Sequence, residues 1–329
     1  MTDRPIPLAA SRHDYLLLLL LSAMWGGSFL LIKIAVGSLP PLWVAALRIT
    51  IGGLALLAVV QFRGLSLPRG RRVWARLAFM GIVGNLAPFT LISWGELQVA
   101  SGLAAILMAM VPLIVMVIAH FIVPDEPLTP GKIAGVVLGV AGLVVLIGPS
   151  ALAGVGGHIA AELAILAATI CYAASALAGR GLPPLTADVM SASMLLVAAP
   201  VGLALASLAA PPGSFSPSLE SLMSAALLGL ACTGLGYVLF FRVLTSAGAG
   251  FASMNNFLVP PFGVFYGGLV LGERLPPSAF AAMLLILLSL LALRWRSASP
   301  SRHSRESGNP GRAAKSTALD PRFRGDDEA

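Results

Sequence analysis

The chain has 329 residues, of which 57% are hydrophobic and only 11% are charged, and its formal net charge is +7 at pH 7. Soluble domains carry about a quarter charged residues, so this composition excludes an ordinary soluble protein and indicates a membrane protein. The positive charge does not call for a nucleic-acid partner, because the arginines gather beside apolar runs, where such residues orient a membrane protein.

Apolar runs recur along the chain from Tyr15 to Trp295, with short breaks between them. Each is close to the length of about 20 residues that a helix needs to cross a bilayer. The period-two alternation typical of a membrane β-barrel is absent, so the runs are predicted to be helices. The sequence therefore predicts an all-α polytopic membrane protein with ten transmembrane helices. In chain order, the predicted spans are 15–36, 41–62, 76–97, 100–123, 131–149, 158–179, 188–209, 219–242, 250–271 and 278–295.

Most loop arginines fall on one side of the membrane if there are ten spans. They are Arg4, Arg12, Arg63, Arg69, Arg71, Arg72, Arg76, Arg294 and Arg296. The positive-inside rule makes this side cytoplasmic, so both termini are predicted to be cytoplasmic. We expect residues 1–14 to form a cytoplasmic N-terminal segment. Residues 296–329 are rich in polar residues without apolar periodicity, and we expect a disordered cytoplasmic tail.

Two short charged breaks occur at corresponding places in the chain. They read "DEPLTP" at 125–130 and "GERLPP" at 272–277, and an offset of 147 residues places Glu126 on Glu273. Other polar and aromatic residues match at the same offset and in the same order. Together these matches indicate an internal duplication.

The duplicated unit contains five predicted helices, with the first repeat at 15–149 and the second at 158–295. Because five is odd, the second copy must enter the membrane upside down, which places Glu126 inside the cell and Glu273 outside. Inverted-topology repeats with a binding site near the middle of the membrane are typical of secondary transporters. The repeat therefore points towards transport.

Several stretches of the chain resemble the drug/metabolite transporter superfamily, EamA type. They are "WGGSFLLIKIA" (25–35), "LPPLWVAALRI" (39–49), "ASGLAAIL" (100–107), "VPDEPLTPGKIAGVVLGVAGLVVL" (123–146) and "LVPPFGVFYGGLVLGERLPPSAFAAMLLI" (258–286). The resemblance implies ten helices in two inverted halves, a bacterial inner-membrane location and export of amino acids or other small metabolites. It also maps the family's two turn glutamates to Glu126 and Glu273, and its helix-two arginine to Arg48. One departure is "PDE" in place of the usual Gly-Glu before Pro127.

Charged and amide side chains inside the predicted spans are the first candidates for a substrate site. A lone charge in the middle of a membrane helix costs about 2.5–3.5 kcal/mol on insertion scales, so such residues need a partner or a wet cavity. Arg48 can anchor a carboxylate or form a gate ion pair, or it can bond backbone carbonyls. Asn85 lies between Gly84 and Pro88, which weaken the backbone ladder, and it can bind a ligand or hold helices together.

Aromatic residues over small neighbours are the second group of candidates. Trp25 and Tyr172 are related by the repeat offset, and each can act as a platform for a substrate or pack in the core. Prolines that follow two asparagines free backbone carbonyls for a polar ligand. The predicted substrate-binding set is Trp25, Ser28, Arg48, Asn85, Tyr172, Tyr237, Asn255 and Asn256.

The remaining acidic residues are given no catalytic role. Glu126 and Glu273 are predicted to shape turns, because a carboxylate is favourable near the start of a helix. Glu96, Glu162 and Glu220 fall at the outer ends of predicted spans, which leaves no acid at the middle of the membrane. We therefore expect facilitative transport, or transport that follows the membrane potential, with Arg48 as the fixed charge. No metal site or other cofactor is expected.

The sequence as a whole predicts a secondary transporter, and not an enzyme, that exports small metabolites such as amino acids by alternating access. The expected partners are a small-molecule substrate and membrane lipid, without nucleic acid, and the oligomeric state is left open. Multidrug efflux is the alternative within transport. A non-transporting membrane scaffold or an intramembrane enzyme is the alternative from another class, and would be expected to lack a wet central cavity.

Overall fold

The computed structural model describes residues 10–122, 129–152, 158–180 and 182–294. The chain divides into two units, Met1–Ser297 and Ala298–Ala329, and every described residue belongs to the first. The predicted tail, Glu126 and most of the predicted N-terminal segment lie outside the described residues.

The described residues form helices joined by short connections, with no strand among them. The helices are α1 (Arg12–Ala35), α2 (Pro41–Phe62), α3 (Arg71–Gly95), α4 (Ser101–Ile122), α5 (Pro130–Leu152), α6 (Ile159–Gly179), α7 (Ala187–Ala209), α8 (Leu219–Ala252), α9 (Asn255–Leu271) and α10 (Pro277–Arg294).

Seven of these helices are long and apolar enough to cross a membrane within the described parts of the chain: α1 to α4 and α6 to α8. The described apolar parts of α5 and α10 are shorter, at Pro130–Leu146 and Pro277–Leu293. The prediction of an all-α polytopic membrane protein is therefore confirmed. The number of ten crossings stays a prediction.

Helix boundaries follow local sequence signals. Ser11 caps α1, where the Asp14 amide donates to the Ser11 hydroxyl (3.2 Å) and the Ser11 amide donates to the Asp14 carboxylate (2.9 Å). α2 and α10 begin at proline, whose fixed φ suits the first turn of a helix. α9 ends at Gly272, which has φ 66° and supplies the left-handed residue that stops a helix.

α8 is longer than predicted. The sequence predicts a span ending near residue 242 and a new one from 250, whereas helical structure continues to Ala252. The chain instead bends at Gly248, where φ is 83° and ψ is 166°. Glycine adopts such a conformation without steric penalty, so the helix direction changes at one residue and no separate loop is needed.

Two helices contain π-helical segments that the sequence does not predict: Ile82–Leu86 in α3 and Leu228–Leu235 in α8. An offset of 147 places the first segment on residues 229–233, inside the second. π-Helices are rare and are often found at functional sites. The α-helical hydrogen-bond pattern is therefore interrupted at matching positions in the two halves of the chain.

The tightest helix pairs are α2 with α7, α5 with α10, α1 with α9 and α3 with α6. α1, α2 and α7 also contact α8, and α3 contacts α2 and α7. The two π-helical segments consequently lie within a group formed by α1, α2, α3, α6, α7 and α8, where most of the candidate side chains are found.

Close packing between α1 and α9 gives a stability prediction at two adjacent glycines. A Cβ on Gly26 would lie 2.5 Å from the Phe262 Cβ and 2.9 Å from the Val259 carbonyl oxygen, whereas one on Gly27 would be 3.5 Å from the Tyr266 ring. Gly26→Ala should therefore destabilise the protein by about 1–3 kcal/mol through overpacking. Gly27→Ala should be tolerated. Thermal unfolding of the two purified variants checks the difference, and equal stabilities would contradict the observed packing.

Candidate functional site

Arg48 is a buried cation without an acidic partner. Its side chain in α2 is 6% exposed, and its Nε donates a hydrogen bond to Thr233 Oγ1 (2.8 Å). The guanidinium carbon lies 3.8 Å from the centre of the Phe89 ring. Among the described residues, no carboxylate forms an ion pair with Arg48, and no hydrogen bond leaves its terminal nitrogens. A buried charge normally requires a counter-charge, so this position is suited to an anionic group of a ligand.

Glycines bring α2 and α8 close enough for the contact between Arg48 and Thr233. A Cβ on Gly52, one turn after Arg48, would lie 2.7 Å from the Thr233 methyl carbon. A Cβ on Gly229 would lie 2.6 Å from the Ile51 side chain and 3.1 Å from the Arg48 carbonyl oxygen. Side chains larger than hydrogen at these two positions would separate the helices and withdraw the threonine from the guanidinium.

Asn85 and Tyr237 connect α3 to α8. The Tyr237 hydroxyl donates to Asn85 Oδ1 (2.7 Å), and Asn85 Nδ2 donates to the Met80 carbonyl oxygen (3.3 Å). Asn85 is 2% exposed and lies in the π-helical segment of α3. The amide therefore satisfies a backbone carbonyl of its own helix while it bonds a side chain of the other half of the chain.

Trp25 connects α1 to the π-helical segment of α8. Its indole Nε1 donates to the Cys232 carbonyl oxygen (3.0 Å), and its ring lies 5.5 Å from that of Phe240. The Ser28 hydroxyl donates to the Trp25 carbonyl oxygen (2.6 Å), so its hydrogen bond is made within α1. The indole is thus held in one orientation at the π-helix.

Tyr172 packs against two core clusters. One surrounds Phe29 and Ile92, and the other surrounds Ile49 and Leu195. The second cluster also contains Phe89, whose ring lies against the guanidinium of Arg48, and Tyr237 packs against this cluster as well. Arg48 is therefore the charged centre of a group that also contains Trp25, Asn85, Tyr172 and Tyr237, and we call these five residues the central cluster.

Other predicted site residues lie outside the central cluster. Asn255 is buried and accepts a hydrogen bond from the Ser22 hydroxyl (2.8 Å), which links α9 to α1. Asn256 donates to the Ser253 carbonyl oxygen (3.3 Å). Both asparagines thus have bonds within the protein in the described conformation.

Glu273 caps a helix, but not the next one in the chain. Its carboxylate accepts hydrogen bonds from the backbone amides of Ser101 (2.7 Å) and Gly102 (3.0 Å) at the start of α4. The carboxylate was expected at the start of the next helix, whereas packing of α9 against α4 places it at the start of α4, where it is favourable for the helix dipole. Its predicted counterpart Glu126 lies outside the described residues.

Sequence reasoning missed two residues of this site and an ion pair. Thr233 and Phe89 contact Arg48, and the available signal was a threonine inside an otherwise apolar π-helical run. Arg63 at the end of α2 forms an ion pair with Asp188 at the start of α7. Within the described ranges, no group of three or more His, Cys, Asp or Glu side chains is placed to hold a metal ion.

The chain is similar to known proteins in both sequence and fold. Residues 14–148 and 159–295 match the EamA-like transporter family. The uncharacterized transporter YoaV of Bacillus subtilis is 26% identical over 80% of this chain and 90% of its own length. A "probable terminal-alkyne amino-acid exporter" of Streptantibioticus cattleyicolor is 24% identical over 90% of this chain and 97% of its own.

Two further similarities concern location and fold. The uncharacterized inner membrane transporter YedA of Escherichia coli K12 is 26% identical over 82% of this chain and 86% of its own. A solved crystal structure superimposes with a TM-score of 0.61 at 21% identity, covering 86% of this chain and 98% of that one. At this identity the solved structure supports the fold alone.

Proposed function

Because this chain belongs to the EamA-like transporter family, we propose that it exports amino acids or related small metabolites across the bacterial inner membrane by alternating access. The observation that carries the proposal is Arg48, a buried cation whose terminal nitrogens have no acceptor among the described residues. The similarity to a protein named as an amino-acid exporter supports the same substrate class.

The central cluster suits a small molecule with a carboxylate and an apolar part. Arg48 supplies the donors for a carboxylate, since a guanidinium binds that group with two parallel hydrogen bonds. Trp25, Tyr172 and Phe89 supply aromatic surface beside it. Asn85 can exchange its bond with Tyr237 for one to an ammonium or hydroxyl group of the substrate.

Alternating access requires two ends that open in turn, and α2 and α7 are joined at both ends. The Arg63–Asp188 ion pair joins the end of α2 to the start of α7. At the opposite ends of the same helices, Trp43 Nε1 donates to the Ala210 carbonyl oxygen (2.9 Å). We propose that each contact breaks when its end of the protein opens.

The architecture that we propose is ten membrane helices in two inverted five-helix repeats, with both termini in the cytoplasm. It is supported by the matched π-helical segments of α3 and α8 and by the way each repeat packs against the other. In this architecture α7 is the counterpart of α2 in the second repeat, and α10 is the counterpart of α5. Each of these helices packs against its own counterpart, as expected for helices that lie on a two-fold axis.

Cysteine labelling tests this topology. After Cys171 and Cys232 are replaced by alanine, a cysteine at Asp125 should react with an impermeant reagent only from the cytoplasm. One at Arg274 should react only from outside, since an odd number of crossings separates the two positions. Labelling of both from the same side would contradict the inverted repeat.

A transport assay tests the substrate class. Overexpressing cells are screened for resistance to toxic amino acids, and the compounds found are loaded into proteoliposomes as the free acid and as the amide. Export of the acid with loss of export of the amide is expected if Arg48 binds the carboxylate. Export restricted to cationic or neutral drugs would overturn the proposal and favour multidrug efflux.

A further inference from the structure

Glu96 is the most completely buried acidic side chain among the described residues. It follows α3 directly, its exposure is 0%, and neither carboxyl oxygen has a hydrogen-bond partner. An ionised carboxylate in such surroundings loses its hydration and gains no donor in return. The neutral acid is the form that these surroundings tolerate.

The neighbouring charges are already engaged elsewhere. The Lys33 ammonium donates to the carbonyl oxygens of Glu96 and Val99 (2.9 Å to the latter), and forms no ion pair with the Glu96 carboxyl group. The Glu273 carboxylate accepts hydrogen bonds from the first two backbone amides of α4, and the Nε of Arg48 donates a hydrogen bond to Thr233. Among the described residues, these three are the charged groups that act on Glu96.

Burial decides the charge state of Glu96 against a mixed set of neighbouring charges. Lys33 and Arg48 favour the carboxylate, but both donate to other groups, while the negative charge of Glu273 opposes it. The loss of hydration on burial is the larger effect and favours the neutral acid. From α6, apolar Ala161 and Ile165 pack against Gly95, while the nearby Glu162 is only half-buried and interacts with His158.

We propose that Glu96 is a proton-binding site that controls the end of the protein where α3 meets α4. In the described conformation the carboxyl group is neutral and Lys33 holds the last carbonyls of α3. When this end opens, Glu96 releases its proton to water, and the Lys33 ammonium leaves the carbonyl oxygens to pair with the new carboxylate. The contact of α1 with the α3–α4 connection is thereby loosened.

The site goes beyond the proposed export function, because proton binding at Glu96 is defined without reference to a substrate. It also gives the chain an ionisable group at a helix end, although no acid was expected at the middle of a span. A failure to find a substrate would not contradict the proton-binding site. A negative result for proton binding at Glu96 would not contradict export by the central cluster.

Infrared difference spectroscopy of the purified full-length protein, titrated without substrate, tests the proposal. At about pH 7 exposed carboxyl groups are ionised, so the carbonyl band of a protonated acid should report a buried group. We expect this band in the wild type and in Glu220→Gln, whose glutamate is exposed at the start of α8, but not in Glu96→Gln. Absence of the band from the wild type, or its persistence in Glu96→Gln, would overturn the assignment.

The role of Lys33 is tested with Glu96 left in place. Lys33→Gln removes a positive charge that favours the carboxylate, so the midpoint of the band should move to higher pH, while Lys33→Arg should keep it near the wild-type value. An unchanged midpoint in Lys33→Gln would contradict the exchange of Lys33 between carbonyls and carboxylate. Titrations in sodium and in choline salts should coincide, and loss of the band only in sodium would instead identify a metal-cation site.

Discussion

Arg48→Met is expected to abolish carboxylate export without lowering the thermal stability of the protein. Removing one member of a buried charge pair costs at least about 2 kcal/mol, so the apparent affinity for a carboxylate substrate should fall by about 30-fold or more. In the substrate-free protein, however, Arg48 is a buried cation with no acidic partner among the described residues. Replacing it by an apolar side chain of similar length removes the cost of burying an unpaired charge, so the unfolding temperature should stay level or rise.

Two other arginine variants serve as controls for this prediction. Arg48→Lys keeps the charge but loses the planar guanidinium and its Nε bond to Thr233, so partial transport with weaker affinity is expected. Arg72→Met removes an exposed arginine at the start of α3, and it should leave substrate affinity near that of the wild type. A fall in stability that parallels the loss of transport in Arg48→Met would assign Arg48 a structural role instead.

Asn85→Ala is expected to reduce the transport rate by about tenfold or more, which corresponds to the loss of one buried hydrogen bond of about 1.4 kcal/mol. Tyr237→Phe removes the other partner of that bond, so the double variant should be less impaired than the sum of the two single effects predicts. Initial rates in proteoliposomes, normalised to folded protein, measure this coupling.

Tyr266→Phe is the matched control, because it makes the same chemical change at a tyrosine whose hydroxyl forms no hydrogen bond within the described part of the chain. Its transport rate should equal that of the wild type. Strictly additive effects of Asn85→Ala and Tyr237→Phe would show that the two side chains act independently, and would contradict a shared role in the central cluster.

The helices were predictable where the signal is local. Apolar length and flanking proline or glycine locate α1, α2 and α7 to within a few residues, and the family match confirms the resemblance seen in the motifs. The end of α8 was not predictable in this way, because a single glycine with positive φ replaces the expected loop. Glycine in a sequence is typical of a loop, although Gly248 only bends a helix here.

The side chains of the central cluster could be singled out from the sequence, but the contacts among them could not. Arg48, Asn85 and Trp25 stand out because polar and indole side chains are unusual inside apolar spans. Their partners Thr233, Tyr237 and Cys232 are between 152 and 207 residues away, and no local pattern encodes such pairings. The burial of Glu96 was missed for the same reason, since an acid at a predicted helix end is normally expected to reach water.

The π-helical segment of α3 has a consequence for how this helix tolerates changes in length. A π turn closes its hydrogen bond over five residues instead of four, so it accommodates one residue more than an α turn does. Deleting one residue from Ile82–Leu86 therefore lets the ladder close as an ordinary α-helix while the flanking turns keep their facing. The same deletion a turn away, outside the segment, would rotate everything beyond it by about 100°. A one-residue deletion in α3 is thus accommodated within the segment that contains Asn85, but not on either side of that segment.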